Sequence, residues 1–392
     1  MKRKLLIISA AFLFAGCSVS DVQSVTKAAM SKDPTLAFKS FAKAKSAQYA
    51  ANPKKFAQDI QALDSFWKVF VSNISKQWGV DNVEVPKQKE YVKYMNNYKS
   101  RALIDFDRGV VTVETMDDKN TAQSLKKAVT TTLLLPDDPR AVDLFGSKQV
   151  QIGGTPYLLG EVKDDQNKDI RYAWRAERYA DILINKSLKS KYIKKDGKNI
   201  KVSYVNIPMV KDHADIRVAK FKPYVQQYAK KYGISENLIY AIIRTESNFN
   251  QFAVSGAGAV GLMQLVPTSG GKDAYRYTKG KSWTPSRTYL FNAKNNIDLG
   301  SGYLKLLNKE YLKGISNPIS KEYCVISAYN TGSGNVLKTF SSNRTTARAI
   351  INKKTPADVY STLRAKLPYK ETRNYLKKVV NYKKEFVNLG HL

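Results

Sequence analysis

The hydrophobic pattern of this chain changes period once, and that change commits it to two structural classes in tandem. Upstream, apolar residues alternate as they do in strands. Ala102-Leu-Ile-Asp-Phe106, a turn at Asp107-Arg-Gly109, and Val110 to Glu114 predict a β-hairpin, and Asn199 to Ile207 alternates again. Helices are predicted from Thr121 to Leu135, stopped by Pro136 and Pro139, and from Tyr172 to Ser187. Apolar residues at helical spacing between 60 and 79 (Ile60, Leu63, Phe66, Val69, Phe70 and Ile74) predict another. From Ala214 onward the alternation fades. Helical spacing takes over, punctuated by Gly- and Asn-rich loops at 256–261, 270–271 and 331–335. There is no internal repeat and no βαβ alternation. The expectation is an α+β domain over residues 61–210 followed by an all-α domain over 211–392.

The first residues bear on location. Lys2-Arg-Lys4 precedes an apolar run from Leu5 to Phe14, then Ala15-Gly16-Cys17. A basic start, a short apolar run and small residues make a secretory signal. The small pair before Cys17 resembles a bacterial lipoprotein cleavage site, which implies a signal peptide over 1–16 and acylation of Cys17. Ser18 rather than aspartate at the next position points to the outer membrane, facing the periplasm. The plainer alternative is an ordinary signal peptide cut nearby. Residues 17–60, rich in Ala, Lys and Ser, read as a tether with helical segments such as Phe38 to Tyr49. Beyond the signal, no stretch is apolar for long enough to span a bilayer.

Composition removes several chemistries. The 392 residues hold 65 Lys and Arg against 33 acids, a formal charge of +32, so partners should be anionic. Export argues against nucleic acid; a phospholipid or lipopolysaccharide surface, or a carboxylate-rich polymer, fits better. Only His213 and His391, and only Cys17 and Cys324, are available. A His/Cys zinc cluster lacks ligands, and a Ser-His-Asp triad would have to use one of two histidines. No metal and no cofactor is expected, and Cys324 reads as a small core residue.

One carboxylate stands out. Ser235 can cap a helix beginning at Glu236, whose apolar stripe is Leu238, Ile239, Ile242 and Ile243. Glu246 lies seven, four and three residues after the last three of these, on the same face. Lost hydration there raises a carboxyl pKa and keeps it a proton donor at neutral pH. Two plainer readings stand beside this: a surface glutamate at a frayed helix end, or a partner of Arg244. Downstream, Gly256 to Gly261 matches G-x-G-x-x-G, but a helix and a polar loop precede it and no acid follows at the ribose-binding distance, so a dinucleotide site is rejected.

Four motifs occur in order: Glu246-Ser247, Gly261-Leu-Met-Gln264, Ala328-Tyr-Asn330 with Gly332, and Glu371-Thr-Arg-Asn-Tyr375. Together they resemble the family 1 lytic transglycosylases of peptidoglycan. The region upstream, especially Tyr91-Val-Lys-Tyr94 and Arg101 to Thr115, is similar to the N-terminal domain of the membrane-bound murein transglycosylases of C type. The resemblance implies a lysozyme-like helical domain and glycan strands of peptidoglycan as substrate. It implies Glu246 as the catalytic acid and base. It places Ser255 near that acid and the acetamido group, Met263 and Gln264 along the sugar subsites, and Tyr329 and Asn330 facing the reacting sugar. Tyr375 would reach the catalytic carboxyl. Met263 reads equally as core, Tyr375 could simply pack beside Leu376 and Val379, and Asn330 could cap its helix. The activity implied is cleavage of the bond between N-acetylmuramic acid and N-acetylglucosamine with closure of a 1,6-anhydro ring. A muramidase of the same fold and a catalytically idle wall-binding lipoprotein are the alternatives.

Overall fold

A computed structural model of the chain describes residues 69–255 and 258–387. The signal and anchor residues, the tether with its segment 38–49, and the positions Ile60, Leu63 and Phe66 lie outside the described residues. The described chain divides into two compact units: residues up to Arg217 together with Phe252–Ala259, and Val218–Gln251 together with Val260 onward.

The first unit is built on a five-stranded antiparallel sheet, β1 (Glu90–Met95), β2 (Ser100–Asp105), β3 (Val110–Thr115), β4 (Lys189–Lys195) and β5 (Lys198–Pro208), in the order β1-β2-β3-β5-β4. The expected hairpin is β2 and β3. Its register is set by a cross-strand pair: Arg101 faces Glu114, with Nε donating to the carboxylate at 2.8 Å while both side chains are almost fully buried. The guanidinium also lies 3.8 Å over the Trp78 ring. A one-residue slip would leave both charges buried and unpaired, which costs several kcal/mol.

Helix α1 (69–78) supplies Phe70, Ile74 and Trp78 to a core shared with Tyr94, Ile193 and Val202, whereas Val69 is exposed. Helix α2 (Thr121–Leu133) packs on β2 and β3 and against α3 (Ala173–Ser187). It ends two residues before the predicted Leu135, because the Leu134 N–H turns back to the Thr130 and Thr132 carbonyls. Phe252 belongs to this unit: it is buried, with its ring edge-on to Tyr157 at 5.1 Å and against Tyr91 at 5.5 Å. Arg217, fully buried, donates to Glu161 at 2.8 Å and shares a 2.7 Å hydrogen bond with His213.

Two strands carry no alternation in the sequence. β1 is buried at five of six positions, including Lys93, whose ammonium donates to the Gly146 carbonyl at 2.7 Å. β4 is an edge strand in which Ile193 alone is buried and lysines dominate, a composition that discourages edge-to-edge pairing.

The second unit is helical: α4 (His213–Tyr232, most of it here), α5 (Glu236–Ser247), α6 (Lys272–Lys279), α7 (Arg287–Phe291), α8 (Ala293–Leu306), α9 (Pro318–Thr331), α10 (Ser333–Lys338), α11 (Arg344–Lys353), α12 (Pro356–Lys366) and α13 (Lys370–Glu385). Ile239, Ile242, Ile243, Ile297, Ile326 and Leu376 lie at the centre of its core. α13 packs against both α5 and α9, which sets where the site forms. Asp298 ties α8 to α4 and α6, accepting from Lys231 at 3.0 Å, Tyr232 at 2.5 Å and Lys279 at 2.5 Å; these donors hold its carboxyl below the usual range despite burial. Cys324 is buried in the core, and burial pushes its thiol up to about 12, as its apolar setting in the sequence implied. Among the described residues no helix is long and apolar enough to cross a membrane.

Candidate active site

The site grows from the end of α5. Ser235 is the helix's first cap, but its hydroxyl makes no capping bond; its carbonyl accepts from Leu238 and Ile239 instead. The other end stops sharply. Asn248 and Phe249 both take left-handed conformations, with φ of 48° and 61°, so the chain turns away immediately after Glu246-Ser247.

Glu246 is 8% exposed. Burial pushes its carboxyl up to about 8; the Tyr375 hydroxyl acts to lower it and the negative charge of Glu371 to raise it further. At neutral pH it is mostly the neutral acid. The two plainer readings of this residue fall. Arg244 is turned elsewhere, paired with Glu385 at 3.0 Å and stacked 4.7 Å over Tyr382, and the helix end is enclosed rather than frayed.

Tyr375 comes from α13. Its enclosed hydroxyl is the polar neighbour of the Glu246 carboxyl but makes no hydrogen bond of regular geometry. Tyr329, from α9, also feels the charge of Glu246 and donates to the Met263 carbonyl at 2.8 Å. Burial, reinforced by Glu246, pushes both phenols well above the usual tyrosine range, so both remain donors. Asn330 accepts from the Thr372 hydroxyl at 2.7 Å, joining α9 to α13.

The loop Gly261-Leu-Met-Gln264 is held in three ways. The Ser247 hydroxyl donates to the Leu262 carbonyl at 2.8 Å, tying it to the end of α5. The fully buried Asn296 of α8 donates to Val260 at 2.9 Å and Leu290 at 2.7 Å, while its Oδ1 accepts from the Met263 N–H at 2.8 Å. Gly261 adopts a φ of +79°, and a Cβ there would stand 2.3 Å from the Asn296 amide nitrogen and 2.4 Å from the Leu290 carbonyl. Only glycine satisfies both the conformation and the space.

The structure thus brings Glu246, Tyr329, Tyr375 and the 261–264 loop together. It gives Met263 a core position: the side chain has no accessible surface and lies against Gly300, where a Cβ would meet its sulfur at 2.2 Å. Gln264, in a left-handed conformation at φ 47°, is 8% exposed and turns its amide nitrogen to the Gly261 carbonyl at 2.9 Å. Ser255 belongs to the first unit, where its hydroxyl accepts from the Ala259 N–H at 3.0 Å in a local turn. Sequence reasoning overlooked Asn296. It sits in Lys294-Asn-Asn296, which reads as a polar surface run, and only its zero exposure shows its part.

The helical unit that carries the buried Glu246 belongs to a known class of domain: residues 223–352 match the family described as Transglycosylase SLT domain. Residues 56–220 match Membrane-bound lytic murein transglycosylase C, N-terminal domain. The protein of that name from Klebsiella pneumoniae (strain 342) is 44% identical over 333 residues, 84% of this chain and 91% of that one. Its counterpart from Serratia proteamaculans (strain 568) is 44% identical over 331 residues, with the same shares covered. The chain therefore belongs to the membrane-bound lytic murein transglycosylase C family, enzymes that act on peptidoglycan. A solved lytic transglycosylase, Slt from Pseudomonas aeruginosa, overlaps 43% of this chain and 24% of its own at 28% identity and a TM-score of 0.34; that partial overlap adds nothing to the assignment.

Proposed function

We propose that this chain cleaves the β-1,4 bond between N-acetylmuramic acid and N-acetylglucosamine in peptidoglycan without consuming water, with Glu246 as both acid and base. The observation that carries the proposal is the buried Glu246 carboxyl, neutral at pH 7 and flanked by the Tyr375 and Tyr329 hydroxyls. Glu246 gives its proton to the glycosidic oxygen as the bond to muramoyl C1 breaks. The muramoyl 2-acetamido carbonyl closes on C1 as an oxazolinium, as in other substrate-assisted glycosidases. The Glu246 carboxylate then takes the proton of the sugar's own C6 hydroxyl, and O6 displaces the acetamido oxygen to close a 1,6-anhydro ring. The proton on Glu246 is restored and no second catalytic carboxylate is required. Glu371 enters as a like charge that keeps the acid protonated.

In this reading Tyr375 and Tyr329 hold the carboxyl and the 261–264 loop, and Asn330 and Gln264 meet the sugar. Met263 contributes through its backbone carbonyl rather than its enclosed side chain.

Acylated Cys17 would anchor the protein to the outer membrane on the periplasmic side, a finer statement of the membrane-bound character in the family's description. The tether 17–60 would carry the α+β domain 61–210 and the lysozyme-like domain 211–392 above the membrane.

Digestion of isolated sacculi followed by mass spectrometry tests the reaction. Products ending in 1,6-anhydromuramic acid are expected. Reducing ends would make the protein a muramidase, and no turnover would make it a wall-binding lipoprotein. Glu246→Gln, which keeps shape but moves no proton, is expected to lower turnover by about 10²–10⁴ while sacculus binding persists.

A further inference from the structure

Trp283 is 42% exposed, a large apolar ring that most surfaces would hide. It is not loose. Its ring centroid lies 4.8 Å from that of Tyr275 on α6 and 5.3 Å from that of Tyr289 on α7, the latter edge-on at 82°, and Tyr275 and Tyr289 meet each other at 6.0 Å. The chain reaches it through the left-handed Gly280 that closes α6 and leaves it through Ser286, whose hydroxyl caps α7 by accepting from the Tyr289 N–H at 3.1 Å. The three rings pack on one another, one pair tilted and two edge to face, and leave Trp283 partly open to solvent. An aromatic retained for packing alone would be buried, and a membrane-interface anchor needs no fixed mutual geometry.

The charge around the rings has one sign. Between Asp273 and Asp298 the chain holds Arg276, Lys279, Lys281, Arg287 and Lys294 and no acid. Lys279 is spent on Asp298 and Arg276, though largely exposed, lies 3.9 Å from Asp273, whereas Lys281 is exposed two residues from the indole. A pyranose ring offers an apolar face of C–H groups to an aromatic plane, and muramoyl units carry peptides that end in carboxylates. A flat ring with a basic rim complements that pairing. The platform is also joined to the catalytic loop. Leu290, next to Tyr289, accepts from Asn296, and the same amide side chain holds the Met263 N–H.

We propose that Trp283, backed by Tyr275 and Tyr289 and rimmed by Lys281, is an accessory glycan-binding platform that stacks on a peptidoglycan sugar away from the scissile bond, with its cations on stem-peptide carboxylates. The proposal rests on peptidoglycan being the substrate. The platform adds affinity for long strands and nothing to the bond-breaking step.

The test uses the full chain with Glu246→Gln, so that binding is read without cleavage. Adding Trp283→Ala is expected to weaken pelleting with intact sacculi about tenfold, the worth of one aromatic contact of roughly 1.4 kcal/mol, and Trp283→Phe to restore most of it. Lys281→Ala should weaken binding at low salt and matter little at high salt. With Glu246 present, Trp283→Ala should raise KM on sacculi and leave kcat/KM on a soluble tetrasaccharide unchanged. Unchanged sacculus binding by the Ala variant overturns the platform. An equal loss on both substrates with a lowered Tm makes the cluster structural and overturns it too. Lost binding to anionic phospholipid vesicles with sacculus binding intact assigns the rings to the membrane instead. If the unmodified enzyme yields no 1,6-anhydro products, the reading of Glu246 fails, and the binding arm still decides the platform.

Discussion

A carboxyl whose pKa is 4.5 in an open chain and about 8 when folded takes up a proton on folding anywhere between those values. For Glu246 the folded state is therefore most favoured below pH 4.5, and the benefit is lost as pH rises toward 8; at pH 7 the burden is on the order of 3 kcal/mol. Replacing the residue by Gln removes it. Glu246→Gln is thus expected to melt higher than the unmodified protein at pH 8 and to lose that advantage at pH 4, as read by thermal denaturation across pH. A variant that melts lower throughout would mean the carboxyl is not buried in its neutral form. In the proposed mechanism the same residue would set the rate profile, since the proton donor is lost above about pH 8. The Tyr375 hydroxyl favours the charged form, so Tyr375→Phe should shift the alkaline limb of kcat/KM to higher pH while lowering kcat by roughly tenfold. Removing the like charge with Glu371→Gln should shift that limb to lower pH. Opposite movements in the two variants identify Glu246 as the titrating group; a limb that stays put in both assigns it to something else. The place of Glu246 on an apolar face was legible from spacing alone. Its phenol neighbours were named only through the family resemblance, because spacing cannot reveal that α9 and α13 reach it from 83 and 129 residues away along the chain.

At the scale of elements, the hairpin β2–β3, the strand β5 and the helices α2, α3 and α5 followed from period and punctuation. β1 and β4 did not. A strand buried on both faces that carries Lys93, and an edge strand made chiefly of lysine, each lack the alternation that betrays a half-buried strand. The 261–264 loop shows the same limit. Its glycine was visible in the sequence, but the groups that require it, the Asn296 amide and the Leu290 carbonyl, come from α8 and α7. Asn296→Ala strips three hydrogen bonds from buried backbone groups and is expected to cost about 2–4 kcal/mol. Turnover should fall with it, because the Met263 carbonyl that receives Tyr329 moves with the loop. Chemical denaturation and sacculus turnover on one preparation check this. Lost stability with full turnover would show that the clamp holds the fold and not the site.

For the whole molecule, an acylated Cys17 and the basic excess left once residues 1–16 are removed, a formal +29 from 62 Lys and Arg against 33 acids, would act together at the membrane. One acyl chain binds weakly, so durable attachment needs several chains or added attraction to anionic head groups. Cys17→Ser exported through an ordinary signal is expected to be recovered soluble and still to cleave isolated sacculi. Residence in the membrane fraction after a high-salt wash would assign attachment to something other than the lipid. A domain boundary drawn from the change of period falls at 210/211, and the chain's own packing departs from it in two respects, the first being that the sheet-bearing unit runs on to Arg217. After α5 the backbone leaves the helical unit, spends Phe252–Ala259 with the sheet-bearing unit, and returns at Val260. The two units are therefore not successive cassettes on a string. A protease that cut once between 208 and 217 would leave the downstream fragment holding residues 252–259, with Phe252 still wedged between Tyr91 and Tyr157. The pieces would travel together through a sizing column, and a gene fragment starting at 211 would encode a catalytic half with an orphaned aromatic plug.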